Sequence, residues 1–293
     1  MAFDVSQIVE YVLNHPVGTT VVAMSCMASL ATYYGFTRNK CKEYMSPLAK
    51  PGLVVLHGDG PCPVIVNPSP FVLKLQTFLR MANIEFVHDL RHPFGRENKM
   101  PWIELDGKSY CDSTFIMEFL TERFNVQIDD HLDAEQKALA RFILKTVEEN
   151  TIWAVIVYNR FIEDFEWFGK CVPLPWFKYY VFKLMIIPYV KKCMYGHGMG
   201  RHSPEEIRHI ARGDLMALSI TLGNKQFFLG NDPTTIDACV FGFIVNILSG
   251  LSEDSWPNKM VREEFSNLVA FSDRMKARFW PDWDEITASC KSH

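Results

Sequence analysis

Several polar side chains of this chain stand where helices are predicted to begin, and Ser69 is the first of them. Ser69 occupies the cap position and Pro70 the first turn of a helical pattern that continues through Phe71, Leu75 and Phe78. A thiol at such a position would be stabilised as a thiolate by the helix dipole, and a serine cannot do this. Ser69 can cap the helix, or its hydroxyl can donate a hydrogen bond to the thiolate of a ligand.

A second set of polar residues surrounds a predicted β-hairpin. Asp112 and Ser113 follow its second strand and stand where the next helix begins, so their types fit helix capping. Lys99 and Met100 precede Pro101, which opens the first strand of this hairpin. A proline is tolerated at the start of a strand, where its missing N–H is not needed for pairing. Whether these residues meet depends on the fold.

The spacing of cysteines and histidines raises the question of a metal site. Cys193, His197 and His202 are four and five residues apart, with His209 beyond them. Interleaved glycines predict a flexible turn there rather than a rigid ligand set, so we predict no metal site. The eight cysteines form no Cys-x-x-Cys pair, which favours free thiols in a reducing compartment.

The order of predicted elements indicates an α/β lobe over residues 51–126. The apolar run 53–57 predicts a buried strand, a helix follows, and 84–88 alternates as a second strand. An Asp106-Gly107 turn then joins the strands of a hairpin, and a helix ends the lobe. Strand, helix, strand, connection, hairpin and helix in this order are typical of a thioredoxin-like fold.

Residues 131–285 have helical periodicity almost throughout, which predicts an all-helical second lobe. Two helix starts carry capping boxes, one formed by Ser203 with Glu206 and the other by Thr234 with Asp237. The run that follows the second box is apolar on nearly every face. This pattern predicts a buried helix at the centre of the lobe.

Two apolar stretches are long enough to be considered as transmembrane helices. The first, 11–37, contains no Asp, Glu, Lys or Arg and is followed by Arg38, Lys40 and Lys42. It predicts a transmembrane helix of a single-pass protein whose folded lobes face the cytosol; a hydrophobic helix packed onto the lobes is the alternative. The second, 176–190, contains two lysines and a proline, so a core helix is predicted instead.

The charge of the chain bears on its partners. The net charge is −4 over 293 residues, whereas a nucleic-acid-binding surface needs clustered positive charge to neutralise phosphates. We therefore predict no nucleic-acid partner. The expected partners are a membrane, through the N-terminal helix, and protein partners or a second copy of the chain.

Five motifs along the chain combine into one pattern, in order over about residues 53–285. They lie at 69–82, 99–104, 147–149, 196–201 and 279–283. Together they resemble the failed axon connections family, which includes cadmium-responsive proteins and is related to the metaxins. The resemblance implies an α+β/α architecture: a thioredoxin-like N-terminal lobe and an all-helical glutathione-transferase C-terminal lobe, preceded by an N-terminal hydrophobic helix.

The resemblance to glutathione transferases implies a ligand, glutathione, and a set of residues for it. Met100, before Pro101, would offer its backbone to the cysteinyl part of the ligand. Asp112 and Ser113 would receive the γ-glutamyl ammonium and carboxylate, and Lys99 would meet a carboxylate. Helix capping alone also explains Asp112 and Ser113, and both interpretations stay open.

The same resemblance makes Ser69 the candidate catalytic residue, as the donor to a glutathione thiolate in serine-type transferases. Related proteins of the Cys-Pro-Phe type carry a thiol where this chain has Ser69, and many family members carry another where it has Val72. Without either thiol, thiol–disulfide chemistry is not expected at this helix. A plain helix cap remains the alternative role for Ser69.

Three functions follow as hypotheses. The first is a membrane-tethered, transferase-like protein acting mainly through interactions in stress response or in neuronal or membrane organisation, and not an enzyme. The second is an active glutathione-dependent transferase on electrophilic or lipophilic compounds. The third is a cadmium- or metal-handling stress protein. The absent thiols favour the first, and Asp112 and Ser113 keep the second open.

Overall fold

A computed structural model describes residues 44–95, 98–171 and 175–290 of the chain. A thioredoxin-like α/β lobe is followed by a helical lobe, which confirms the predicted two-lobe architecture. The first lobe consists of β1 (Val54–His57), α1 (Pro70–Met81), β2 (Phe86–Asp89), β3 (Trp102–Leu105), β4 (Lys108–Cys111) and α2 (Ser113–Phe124).

The second lobe begins with α3 (Ala134–Lys145), which continues in wide π-type turns through Thr146–Val157 and Asn159–Glu163. The remaining helices are α4 (Phe165–Cys171), α5 (Trp176–His197), α6 (Pro204–Leu222), α7 (Thr235–Leu248), α8 (Trp256–Glu264), α9 (Ser266–Phe279) and α10 (Trp283–Ser289). A short 3₁₀ turn, Met199–Arg201, separates α5 from α6.

The sheet has the strand order β2-β1-β3-β4. β1 and β2 are parallel, whereas β3 is antiparallel to both β1 and β4. Asp106 and Gly107 both have positive φ, 49° and 75°, at the tight turn between β3 and β4. This backbone is the one that an Asp-Gly hairpin turn favours, and the predicted turn is confirmed.

The two lobes meet where α1 lies against α7. Every residue of α7 from Ile236 to Leu248 is buried, as its apolar sequence predicted. Gly242 allows the close approach, because a Cβ at this position would lie 2.8 Å from the carbonyl oxygen of Pro70. The first turns of α1, which carry the candidate site, are therefore held directly by the central helix of the other lobe.

The C-terminal motif at 279–283 packs against the C-terminal half of α1. The Arg80 guanidinium donates to both carboxylate oxygens of Asp282, at 2.7 and 2.8 Å, and lies 3.9 Å from the centre of the Trp280 ring. The Trp280 indole N–H donates to Thr77 Oγ1 at 3.1 Å. Two of the motifs that carry the family resemblance thus bind each other.

The sheet face away from α1 and α2 is covered by the segment just before β1. The backbone N–H of Ser46 donates to Glu104, and its hydroxyl donates to Asp89 at 2.5 Å. Below them His57 stacks on Trp102 at 3.8 Å, and burial lowers the pKa of His57 to about 4. The neutral imidazole therefore behaves as part of the core near pH 7.

The helix predicted over 176–190 is present within α5, but its predicted place in the core is wrong for one side. Only Val190 and Met194 of this 22-residue helix are buried. Large side chains such as Leu184, 76% exposed, lie on its outer side. Periodicity did not reveal this exposed side, because α5 is apolar nearly all round. In the described fold, little of its outer face is covered by other helices.

No helix within residues 44–95, 98–171 and 175–290 combines the length and apolar character needed to cross a bilayer. This finding corrects the predicted single-pass localisation with the lobes facing the cytosol. The transmembrane helix predicted over 11–37, which was also placed ahead of the two lobes in the predicted fold, lies outside the described residues.

Candidate functional site

Ser69 caps α1, and its place is set by the preceding loop. Its side chain accepts a hydrogen bond from the backbone N–H of Val72 at 3.4 Å, and its own N–H donates to Asn67 Oδ1 at 3.0 Å. Ser69 is buried, with 8% of its surface exposed. Accepting from Val72 leaves the hydroxyl proton available for donation to a ligand.

The loop before α1 is fixed from the helical lobe by Arg160. This buried guanidinium donates to the carbonyl oxygen of Pro68 at 2.7 Å and to Asn246 Oδ1 at 3.1 Å. The Asn246 amide in turn donates to the carbonyl oxygen of Asn67 at 3.3 Å. Burial lowers the pKa of Arg160 from its ordinary value. Both residues adjoining Ser69 on its N-terminal side are therefore held by the second lobe.

The Met100–Pro101 peptide bond, at the entrance to β3, is cis. Lys99, just before it, lies with Nζ 3.3 Å from Oδ2 of Asp112 at the start of α2. Asp112 has a φ of 78°, and its side chain accepts from the N–H of Thr114 at 3.2 Å. The fold therefore brings together Lys99 and Asp112, which the sequence separates by a whole hairpin.

Ser113 faces a buried ion pair that joins the two lobes. Lys74 of α1 donates from Nζ to Ser113 Oγ at 3.3 Å, to Thr114 Oγ1 at 2.8 Å and to Glu148 Oε1 at 2.7 Å. The side chains of Lys74 and Glu148 are only 2% and 9% exposed. Cys239 of α7 lies beside Glu148, and burial raises the pKa of its thiol. That cysteine is a neutral core thiol at physiological pH.

Sequence reasoning did not assign a role to Lys74 or Glu148, although a signal for Lys74 was present. Lys74 lies three residues after Phe71 and four before Phe78, and therefore on the apolar face of α1. A lysine on such a face requires a buried acidic partner. The partner, Glu148, comes from the other lobe, and no local pattern identifies it.

A cavity of about 410 Å³ opens between α2 and α3, with Lys74 in its wall. Lys74, Thr114 and Ile236 contribute to its walls, and Lys137 and Arg141 of α3 also line it. None of Ser69, Lys99, Met100, Pro101, Asp112 and Ser113 lines it. The cavity and Ser113, one of the predicted ligand residues, thus adjoin the same lysine.

Two of the residues considered as metal ligands, His197 and His202, have other partners. His197 bonds through Nε2 with the carbonyl oxygen of Glu149 at 2.8 Å and stacks on Trp153. His202 lies 3.5 Å from Glu206, its neighbour in the next turn. In the part of the chain that the structure describes, no three His, Cys, Asp or Glu side chains are grouped to hold a metal ion. The metal-handling hypothesis has no site among these residues.

Family models and relatives agree with this fold. Residues 70–165 match the glutathione S-transferase N-terminal domain and 211–275 match the C-terminal domain. Failed axon connections from Drosophila melanogaster is 30% identical over 251 residues, covering 80% of this chain, and metaxin-2 from Mus musculus is 24% identical, covering 75%. The chain belongs to the glutathione-transferase-like family that includes Failed axon connections and the metaxins.

The relatives carry names that refer to different functions. The chain spans 60% of the length of Failed axon connections and 86% of metaxin-2. It also spans 99% of an isoprene-epoxide–glutathione S-transferase from Rhodococcus sp. strain AD45, to which it is 27% identical over 78% of its own length. The relatives therefore include a named transferase as well as proteins named for other roles.

The family fold is also found among solved structures. The β-etherase LigF from Sphingobium sp. strain SYK-6 superposes with a TM-score of 0.55 over 80% of this chain and 99% of the etherase. At 17% identity this likeness shows the fold alone. What a member of this glutathione-transferase-like family does has to be argued from its own site.

Proposed function

We propose that this chain binds glutathione where the starts of α1 and α2 adjoin, and acts mainly through interactions rather than thiol–disulfide chemistry. The observation that carries the proposal is the position of Lys74. It lies one turn beyond the Ser69 cap of α1 and reaches Ser113, the first residue of α2. Two positively polarised helix starts and a lysine therefore adjoin one another, which suits an anionic ligand.

The donor set fits the chemistry of glutathione end by end. The hydroxyl of Ser113, backed by the ammonium of Lys74, suits the γ-glutamyl carboxylate. The carboxylate of Asp112 suits the γ-glutamyl ammonium. Ser69, which retains a hydroxyl proton, suits the thiolate, and the backbone of Met100 beside cis Pro101 suits the cysteinyl amide.

The Lys99–Asp112 ion pair does not oppose this role. The two side chains are 49% and 35% exposed, and an exposed pair of this kind contributes only about 0–1 kcal/mol. The ligand ammonium can replace Lys99 at Asp112 at little cost in free energy. The released Lys99 is then placed to meet a ligand carboxylate.

Replacing Asp112 with alanine should weaken glutathione binding about 10- to 100-fold, because a charge-assisted hydrogen bond of about 1.5–3 kcal/mol is lost. Isothermal calorimetry of the full chain with reduced glutathione measures this. The matched control is Asp133→Ala, which removes the aspartate cap of α3 away from the site. Both variants lose about 1 kcal/mol of cap stability, so only binding distinguishes them.

Two results of the calorimetry would contradict the proposal. Absence of any glutathione binding by the unmodified chain would remove it altogether. Equal weakening by Asp112→Ala and Asp133→Ala would show that Asp112 acts only as a helix cap.

Conjugation of glutathione to an electrophile is a second candidate function, favoured by the free hydroxyl proton of buried Ser69. A relative matched over 99% of its length is named for glutathione transfer to isoprene epoxide. A serine that donates to the glutathione sulfur stabilises the thiolate and keeps the nucleophile ionised near neutral pH. Small epoxides are therefore the substrates to test first.

Replacing Ser69 with alanine should reduce epoxide conjugation about 100-fold if the serine holds the thiolate, and should raise the pKa of bound glutathione. Thiolate absorbance of the complex across a pH series measures this pKa directly. Ser69→Thr keeps both the hydroxyl and the cap and should restore both readouts. An unchanged thiol pKa in Ser69→Ala would leave the serine with its capping role alone.

The cellular role belongs to the same proposal. Failed axon connections, the relative with 30% identity, is named for axonal connections, and this supports a role in neuronal organisation or stress response through protein partners or a second copy of the chain. Ser69 and Val72 supply no thiol at α1. A redox reaction at this helix is therefore not part of the proposed role.

A further inference from the structure

The outer side of α5 is an apolar face that the described fold leaves uncovered. Trp176 and Leu184 are 75% and 76% exposed, and further exposed large side chains continue along the helix as far as Tyr195. The exposed large side chains of α5 are Trp176, Phe177, Tyr180, Val181, Leu184, Met185, Tyr189 and Tyr195. A contiguous patch of this kind marks an interaction site.

The charge on α5 has a single sign. The helix contains four lysines and no aspartate or glutamate. Lys178, Lys191 and Lys192 are exposed, and within the described ranges none of them forms an ion pair with a carboxylate. Lys183 instead lies over the ring of Phe165, on the protein side. The outer face thus combines apolar side chains with three unpaired positive charges.

The inner side of α5 is occupied by aromatic packing that holds the helix in place. Phe165 of α4 contacts Tyr179 and Phe182, with ring centres 5.5 and 6.1 Å apart. Val190 and Met194 continue the buried line toward the C-terminal end. The outer face is therefore presented by a helix that is already anchored, about 33 Å long at 1.5 Å per residue.

We infer that the outer face of α5 docks on an anionic lipid surface. Tryptophan, tyrosine and leucine on one side with lysines beside them are the composition of helices that lie in the membrane interface. The exposed lysines are complementary in charge to acidic headgroups, and a bilayer can meet them along the length of the helix. The contact is parallel to the surface and involves no membrane-spanning segment. It is independent of the glutathione site.

Trp176 provides a readout specific to this face. The chain has seven tryptophans, none of them in residues 1–43, and the other six are buried or half-buried. The full chain is mixed with vesicles of brominated phosphatidylcholine and phosphatidylserine in equal parts, and bromine quenching of tryptophan fluorescence is recorded. Quenching is expected with these vesicles, and Trp176→Phe should remove most of it.

Matched variants test the apolar and the charged halves of the surface. Leu184→Asp should weaken the quenching at least about 10-fold, because it replaces an apolar side chain that would be buried in the acyl boundary with a carboxylate. Lys191→Glu with Lys192→Glu, or vesicles of brominated phosphatidylcholine alone, should abolish it. Ile220→Asp, on α6 and 73% exposed, is the control and should leave it unchanged.

Three outcomes would overturn the inference. Vesicle binding without quenching of Trp176 would place the contact elsewhere in the chain. Equal quenching with acidic and neutral vesicles would remove the role of the lysines. Self-association in sedimentation experiments that Leu184→Asp abolishes, with no vesicle binding, would identify a second copy of the chain as the occupant.

Discussion

Replacing Lys74 with methionine should lower the free energy of unfolding by about 3–5 kcal/mol. The change removes the ammonium that lies 2.7 Å from Glu148 and leaves that carboxylate nearly buried between the lobes without a counter-charge. Thr114 Oγ1, 3.5 Å from the same carboxylate, is too weak a partner to replace it. Urea denaturation of the full chain measures the loss.

The double variant Lys74→Met with Glu148→Leu is the control for this prediction. Replacement of a buried ion pair by apolar side chains of similar volume is often close to neutral, because the desolvation penalty of both charges disappears. The double variant should therefore recover most of the lost stability. A double variant no more stable than Lys74→Met alone would show that the pair acts through its separate hydrogen bonds.

The same two variants separate stability from ligand binding. If Lys74 supports a glutathione carboxylate at Ser113, the double variant should fold like the original chain yet bind glutathione more weakly. The ammonium is missing in both variants, whereas the unpaired Glu148 is present only in the single one. Unchanged binding by the folded double variant would restrict Lys74 to a structural role between the lobes.

Replacing Asp237 with alanine should destabilise the protein by about 3–5 kcal/mol. Its carboxylate is fully buried and accepts from the N–H of Phe228 at 2.8 Å and from both the N–H and the hydroxyl of Thr234, at 2.8 and 2.7 Å. Alanine leaves these donors buried and unsatisfied, at about 1–3 kcal/mol for each group that finds no other partner. Thermal and urea unfolding of the full chain measure the change.

Glu206→Ala is the matched control, because Glu206 holds the same position in the capping box of α6. Glu206 accepts from the N–H of Ser203 at 2.8 Å, but this box is exposed and water replaces the lost bond. Its removal should cost about 1 kcal/mol or less. If Glu206→Ala and Asp237→Ala lowered the free energy of unfolding by similar amounts, burial would not be the reason for the large effect expected at Asp237.

The effect of Asp237 also depends on pH. Burial raises the pKa of Asp237 from 3.8 to about 6. Between these values the unfolded chain has released the proton and the folded protein still holds it, so stability falls as the pH rises. The original chain should therefore lose stability relative to Asp237→Asn between about pH 4 and pH 6, and lose no more above pH 6. A difference that stays constant across this range would contradict the raised pKa.

Local features of the structure follow from the sequence. The caps at Ser69, Ser203 and Thr234, and the Asp106-Gly107 turn, depend on hydrogen bonds and backbone angles within a few residues, so their residue types identify them. The buried α7 was recognisable because its apolar side chains leave no face for water. The order of these elements along the chain was enough to predict the two lobes and their order.

The candidate site depended on contacts between distant parts of the chain. Lys99 and Asp112 were both named from the sequence, but their proximity is a product of the hairpin between them. Arg160, which holds the loop before Ser69, comes from the other lobe and had no local signal for this role. The structure places the predicted ligand residues, and their binding of glutathione remains a prediction.

Outside α7, burial was a property that the sequence did not decide by itself. The two capping boxes look alike in the sequence, yet one is exposed and the other lies at the centre of the helical lobe. The composition of α5 suggested a core helix, whereas its outer face is uncovered. Residue types and spacing determined the helices, strands, caps and turns, because those depend on neighbours along the chain. Only the tertiary structure decided that Lys74 pairs with Glu148. The partner of a buried charge can come from any part of the chain that the fold places next to it, so residue spacing does not identify it.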